Sequence, residues 1–131
     1  MTFGYLLKQA RQARGLSLLD LSHRSGLGGV YLHWLETGKR NPVVNDKTDM
    51  VDVLMRALTL DTRSRFVFRF LAGREVDERL VHLVLVERDI ALEDFATVAG
   101  TVWQDEQRPT RKVWRERLSE ARRGREGAEP E

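Results

Sequence analysis

Cysteine is absent from the 131 residues, which removes disulfides, thiolate zinc sites and cysteine nucleophiles at once. Long apolar runs are absent too: Leu83-Val84-Leu85-Val86 falls far short of the roughly 18 residues of a membrane span. The first residues lack the basic, then apolar, then small order of a signal peptide. A cytoplasmic protein with no membrane partner is therefore expected. Catalytic signatures are missing as well. His23, His33 and His82 fall on separate predicted helices with no HExxH spacing, so no metal site is expected. Gly26-Leu27-Gly28-Gly29 lacks the Gly-Lys-Ser/Thr ending and preceding strand of a phosphate loop, and no serine has a GxSxG context. The neighbouring carboxylates Glu87 and Asp89, and Glu93 and Asp94, read as an acidic, solvated surface. These absences point away from an enzyme and from any cofactor.

A dominant charge of one sign is also lacking, but the net +2 hides segregation. Residues 1–73 carry 11 basic and 6 acidic side chains, a net +5, whereas residues 74–131 carry 11 and 14, a net −3. Within the second part, 75–106 has 2 basic against 9 acidic residues and 107–125 has 8 against 2. A basic first half suits phosphate binding, because counterion release drives sequence-independent affinity for nucleic acid. The plainer alternative is that arginine-rich helices only solvate their outer faces. Length allows one ordinary domain or two small ones, and 41% hydrophobic with 32% charged residues fit a soluble globular protein.

The most informative stretch is 17–42, SLLDLSHRSGLGGVYLHWLETGKRNP. Ser17 and Asp20 form a capping-box variant that opens a helix. Leu18 with Leu21, and Leu32 with Leu35, give one apolar stripe to each of two short helices, 18–25 and 28–37. Gly26 stands at the turn between them, Gly38 stands where a helix C-terminal glycine is expected, and Asn41-Pro42 stops continuation. Two capped helices around a glycine read as a helix-turn-helix, whose second helix is the usual DNA reader.

The remaining pattern is helical throughout, so the fold class is all-α. Thr2 precedes a helix with Phe3, Leu6, Leu7 and Ala10 on one face, ending at Gly15. After the polar stretch Val43 to Thr48 comes a helix built on Met50, Val51, Leu54 and Leu58. Asp61 caps another, Thr62 to Ala72, with Phe66, Phe70 and Val67 as its expected apolar stripe. This makes a five-helix unit over 1–73. A second helical unit over 74–123 follows, with helices Val76 to Arg88 (through Leu80, Leu83 and Val84) and Leu92 to Ala99 (Leu92, Phe95, Ala96 and Ala99). After a polar loop at 104–108, Pro109 opens a last helix to about Arg123, with Trp114, Leu118 and Ala121. Residues 124–131 read as a disordered tail.

The run LLKQARQARGLSLLDLSHRSGLGGVYLHWLETGKRNP resembles the Cro/C1-type (XRE-like) helix-turn-helix of phage and bacterial repressors. The marks are Arg-Gly-Leu-Ser before the second helix, Leu21, Gly26, Tyr31-Leu32, Leu35-Glu36, Gly38-Lys39-Arg40 and Pro42. The resemblance implies a transcriptional regulator that binds double-stranded DNA, most often a dimeric repressor. It also implies an ion pair between a basic residue of the first helix and the glutamate ending the reader helix. Arg11 and Glu36 hold those places, in a role more structural than functional.

The departures from the family concern the reading surface. Where relatives carry polar residues such as glutamine, this chain has Leu18, Gly29, Val30 and Trp34. Val30, His33, Trp34 and Thr37 share one helical face, opposite Leu32 and Leu35, and that face offers no amide or guanidinium for bidentate base readout. Val30 suits a thymine methyl and His33 a guanine or phosphate, while Gly28 and Gly29 permit close backbone approach. These two glycines also weaken the start of the helix by about 0.5–1 kcal/mol each. Lys39, Arg40 and Asn41 suit phosphates, Val30, His33 and Trp34 are expected to face the groove, and Ser17, Leu18 and Thr37 complete the expected DNA-binding set. Two alternatives stay open: the Val30/Trp34 face docks a protein, or Trp34 simply packs against Tyr31 or the 43–48 loop.

One helix-turn-helix covers one half-site, so a homodimer is expected. Leu80, Val84, Phe95, Trp103, Trp114 and Leu118 are the apolar residues available to the second unit for that purpose. For Trp103 and Trp114 the plainer reading is that they seal a small core. The layout of this unit, closing in an Arg-Pro-then-Trp helix, is similar to that of deinococcal-type stress-response repressors. That similarity implies a regulatory protein or protease as a further partner, acting near Val102 to Arg108.

Overall fold

The computed structural model describes residues 1–44, 49–101 and 109–127, which form eight α-helices and two isolated β-bridges. The chain divides into two compact units, Met1–Glu75 and Val76–Glu131. The first holds α1 (Phe3–Ala13), α2 (Leu18–Ser25), α3 (Gly29–Glu36), α4 (Met50–Ala57) and α5 (Thr62–Leu71). The second holds α6 (Glu78–Val86), α7 (Leu92–Gly100) and α8 (Arg111–Gly127). None of the described helices is long and apolar enough to cross a membrane.

In the first unit α1 packs on α3 and α5, α2 on α3 and α4, and α4 on α5. The interior is built from Leu6, Leu7, Leu21, Leu32, Leu35, Val51, Leu54, Leu58, Val67, Phe68 and Leu71, all buried. Each such side chain contributes about 1.5–3 kcal/mol through removal from water. The first helix of the helix-turn-helix, α2, is fixed at both ends. The Asp20 amide donates to Ser17 Oγ at 3.0 Å and the Ser17 amide donates to Asp20 Oδ2 at 2.9 Å, a complete capping box. Gly26 ends α2 in the left-handed conformation at φ 75°.

Gly4 lets α1 cross α3 at backbone contact. A Cβ on this residue would sit 2.0 Å from the Leu35 carbonyl oxygen and 2.8 Å from that of Glu36. No other residue type fits there without moving a helix, a requirement that no short sequence motif signals.

The apolar stripe of α5 differs from the expected one. Val67, Phe68 and Leu71 are buried, whereas Phe66 is 37% exposed and Phe70 is half-buried beneath the Arg74 guanidinium, 4.4 Å from the ring. Ser64, Val67, Phe68 and Leu71 follow the i, i+3, i+4, i+7 repeat. That repeat wins because Phe68 meets Phe3 edge-to-face at 5.7 Å.

Two carboxyls of the first unit give it acid sensitivity. The Ser17 backbone and hydroxyl hydrogen bonds hold the Asp20 carboxyl below its ordinary range. Burial pushes the Asp49 carboxyl up, but the hydrogen bond from the Asp52 amide and the Arg69 guanidinium at 3.0 Å outweigh it and the net shift is downward. A depressed folded-state pKa contributes stability that is complete above the unfolded value of about 3.9 and is lost as pH falls through the folded one. The acid limb of a stability-versus-pH curve should therefore flatten in Asp20→Asn/Asp49→Asn. An unchanged slope below about pH 4 would show that neither carboxyl contributes.

In the second unit α6, α7 and α8 pack on one another. α6 is shorter than the sequence pattern suggests: Asp77 caps it, accepting from the Arg79 amide, and Glu87 ends it in extended conformation. Pro109 precedes α8 rather than opening its first turn, because Thr110 takes the capping place, its hydroxyl accepting from the Val113 amide at 3.4 Å. The expected tail boundary is also displaced. α8 runs on to Gly127, since Arg122 pairs with Glu126 and the Arg125 guanidinium reaches Asp94 at 3.0 Å. Residues 128–131 lie outside the described residues.

Asp94 itself corrects the reading of an acidic, solvated surface: it is 3% exposed, buried on α7 with Arg125 as its ionic partner. Nothing in the spacing of Glu93-Asp94 distinguishes the buried carboxylate from the open one.

Candidate nucleic-acid interface

Helix α3 presents two unlike faces. Leu32 and Leu35 are buried against the unit's core, while Val30 is 65% exposed and His33 is open to solvent. The helix is locked to α1 from behind. Arg11 Nε and one terminal nitrogen donate to the two Glu36 carboxylate oxygens at 2.8 and 2.9 Å, and the other terminal nitrogen donates to the Leu16 carbonyl at 2.8 Å. Both side chains are largely withdrawn from water, at 11% and 5% exposure, and the Glu36 hydrogen bonds raise the guanidinium pKa above its ordinary value. This pair fills the places that the sequence resemblance implies, and it orients α3 without taking part in its open face.

The sequence-derived set comes together around α3, with graded accessibility. Gly28 is the N-cap and Gly29 the first helical residue; no side chain caps this end, and a Cβ on either glycine would meet nothing within 4 Å. Ser17 is exposed at the start of α2, its oxygen occupied by the Asp20 amide. Leu18 is half-buried, and its neighbour Leu19, at 64% exposure, is the open apolar side chain of that turn. The sequence did carry that signal: Leu18 and Leu21 share the core stripe, which sends Leu19 outward. Thr37 spends its hydroxyl proton on its own helix, donating to the His33 carbonyl at 2.9 Å, with the Trp34 carbonyl at 3.3 Å. That leaves Thr37 an acceptor towards any external group.

Gly38 adopts φ 77° and turns the chain back on α3, so that the Arg40 amide donates to the Trp34 carbonyl at 3.2 Å. Lys39, Arg40 and Asn41 are all exposed. Trp34 is half-buried beneath two of them: the Arg40 guanidinium carbon lies 4.8 Å and Lys39 Nζ 5.3 Å from the ring centroid. The open groups are therefore two apolar side chains (Leu19 on α2 and Val30 on α3), one imidazole (His33) and a cationic run following α3.

The residues assigned to dimerisation have a different setting. Leu80, Val84 and Phe95 are fully buried, and Trp114 and Leu118 are 6% and 5% exposed, so the single chain already uses them as interior. Trp103 and the rest of 102–108 lie outside the described residues. His23, His33 and His82 sit on α2, α3 and α6, and the described residues contain no group of three or more that could hold a metal ion.

No curated protein matches the chain. Residues 2–65, just under half of it, match the family described as a helix-turn-helix domain. With α2, the turn at Gly26 and α3 arranged as above, the N-terminal unit has a helix-turn-helix fold.

Proposed function

We propose that the protein is a sequence-specific transcriptional regulator of the Cro/C1 type, acting as a dimeric repressor on double-stranded DNA. The observation that carries this reading is the surface of α3: an outward apolar and imidazole face bordered by the exposed Lys39, Arg40 and Asn41. Phosphate contacts position a protein and base contacts specify the site. Lys39, Arg40 and Asn41 are the phosphate contacts in this reading, with the uncapped start of α3 at Gly28-Gly29 allowing close approach of the backbone. Val30 and His33 face the bases. Specificity comes from thymine methyls, groove shape and the spacing of two half-sites more than from bidentate hydrogen bonds. Arg11–Glu36 supports the Cro/C1 assignment, and occlusion of a promoter is the simplest outcome of such binding.

A second copy supplies the second half-site. Because Leu80, Val84, Phe95, Trp114 and Leu118 are already interior, the copies would meet through outward residues of the chain instead. Leu19 and Val30 are exposed enough to support the competing reading, a protein-docking face. One experiment separates the two: selection from random and genomic duplexes at near-physiological salt, with the solution mass measured by light scattering. A two-fold symmetric consensus and a dimeric mass are expected. Lys39→Ala should weaken binding to all sequences alike and lower the salt slope by about 1. Salt-sensitive general binding without enrichment would sink the operator-binding reading in favour of protein docking.

A further inference from the structure

Trp34 shares a helical face with Val30 and His33, yet its surroundings differ from theirs. Val30 and His33 are open, whereas the Trp34 ring is half-buried under Arg40 at 4.8 Å and Lys39 at 5.3 Å. The stack is built in by the backbone. Gly38, at φ 77°, reverses the chain after α3, and the Arg40 amide closes the turn on the Trp34 carbonyl at 3.2 Å. Few residue types other than glycine hold that conformation without strain.

We propose that Trp34 is a positioning residue whose indole face holds Lys39 and Arg40 ready for the phosphate backbone, and that it does not itself read bases. The inference rests on the DNA-binding reading above. Its physical basis is the difference between two ways of ordering a cation. A carboxylate partner orders a guanidinium by neutralising it, and no ion pair to Lys39 or Arg40 is formed among the described residues. An aromatic face attracts the cation through its quadrupole and leaves the charge intact. A guanidinium resting on a ring also keeps its in-plane N–H groups for an anion. Both side chains have many rotamers in solution, so restricting them before contact lowers the entropy lost on binding.

The test is a cycle of Trp34→Leu, Trp34→Phe and Lys39→Ala/Arg40→Ala in the full chain. Its readouts are affinity for a fixed duplex at several salt concentrations, and urea stability to confirm folding. Trp34→Leu should weaken binding about three- to tenfold. Trp34→Phe keeps a ring face and should recover most of that loss. In the Lys39→Ala/Arg40→Ala background, Trp34→Leu should add nothing. In the free protein, the Trp34 indole N–H resonance should move on replacing Lys39 and Arg40. Losses that simply add in the combined variant would mean that the ring touches DNA itself, which overturns the proposal. So would a Trp34→Phe variant as weak as Trp34→Leu, or an unmoved indole resonance. A wild-type chain that binds no duplex would instead remove the DNA-binding reading, and this inference with it.

Discussion

Gly4→Ala should destabilise the N-terminal unit by about 3 kcal/mol or more, although alanine is the better helix former by about 1 kcal/mol. The sign follows from what the new methyl meets. It would stand 2.0 Å from the Leu35 carbonyl oxygen, where real Cβ atoms keep beyond 3.0 Å, and the obstacle is backbone. A flexible side chain could swing aside; a helix must translate. Moving α3 away from α1 would open the contacts of Leu32 and Leu35, both buried. For a domain of this size the loss corresponds to a melting temperature lower by roughly 12–24 °C, read by circular dichroism. Gly124→Ala is the matched control. It also lies inside a helix, nothing stands within 4 Å of its added methyl, and it should be neutral or slightly stabilising. A Gly4→Ala protein as stable as wild type would show that α1 and α3 do not cross this closely.

The second large effect belongs to Arg11 and Glu36. Removing either should cost about 3–5 kcal/mol, because it strands a charge that the fold has largely withdrawn from water. Glu36 has 5% of its side chain exposed, and Arg11 satisfies both its carboxylate oxygens and the Leu16 carbonyl. An apolar pair of similar volume, Arg11→Met/Glu36→Leu, should recover much of the loss, since it strands no charge. Urea titrations of the four proteins measure the coupling directly. Single-variant losses below about 1 kcal/mol, typical of exposed pairs, would contradict the buried lock. The pair also bears on the proposed DNA binding, because the orientation of α3 relative to α1 is what it fixes.

The parts of this structure that were legible in the sequence are those set by short-range rules. Ser17 with Asp20, Gly26, Gly38 and Thr2 announce helix ends through local hydrogen bonds and backbone conformation. The helices they bound lie where those residues place them. The all-α class followed from the same rules. What was not legible depends on which helix meets which. Phe66 and Phe70 outweigh Val67 and Phe68 in bulk, but only contact with Phe3 decides which stripe of α5 turns inward. Gly4 looks like a weak point in a helix until α3 is seen lying on it. Leu80, Val84, Phe95, Trp114 and Leu118 are equally suited by composition to a dimer contact and to an interior. The packing of α6, α7 and α8 assigns them to the interior. At the candidate site, residue types pointed to side chains on and after α3. Only geometry separated the open Val30 and His33 from Trp34, which lies beneath its cations.

The reach of Arg125 back to Asp94 has a practical side. Anyone trimming the protein for expression would be drawn to Gly124, where glycine and glutamate begin to dominate the sequence. A cut there would leave every apolar residue of α8 in place and would pass a hydropathy check. It would also take the counter-ion from a carboxylate that is 3% exposed on a neighbouring helix. The harm would then surface in α7, distant from the edit in sequence though not in space, and would be easily mistaken for a fault of α7 itself. The shortest faithful version of this chain keeps Arg125 and the turn of helix that carries it.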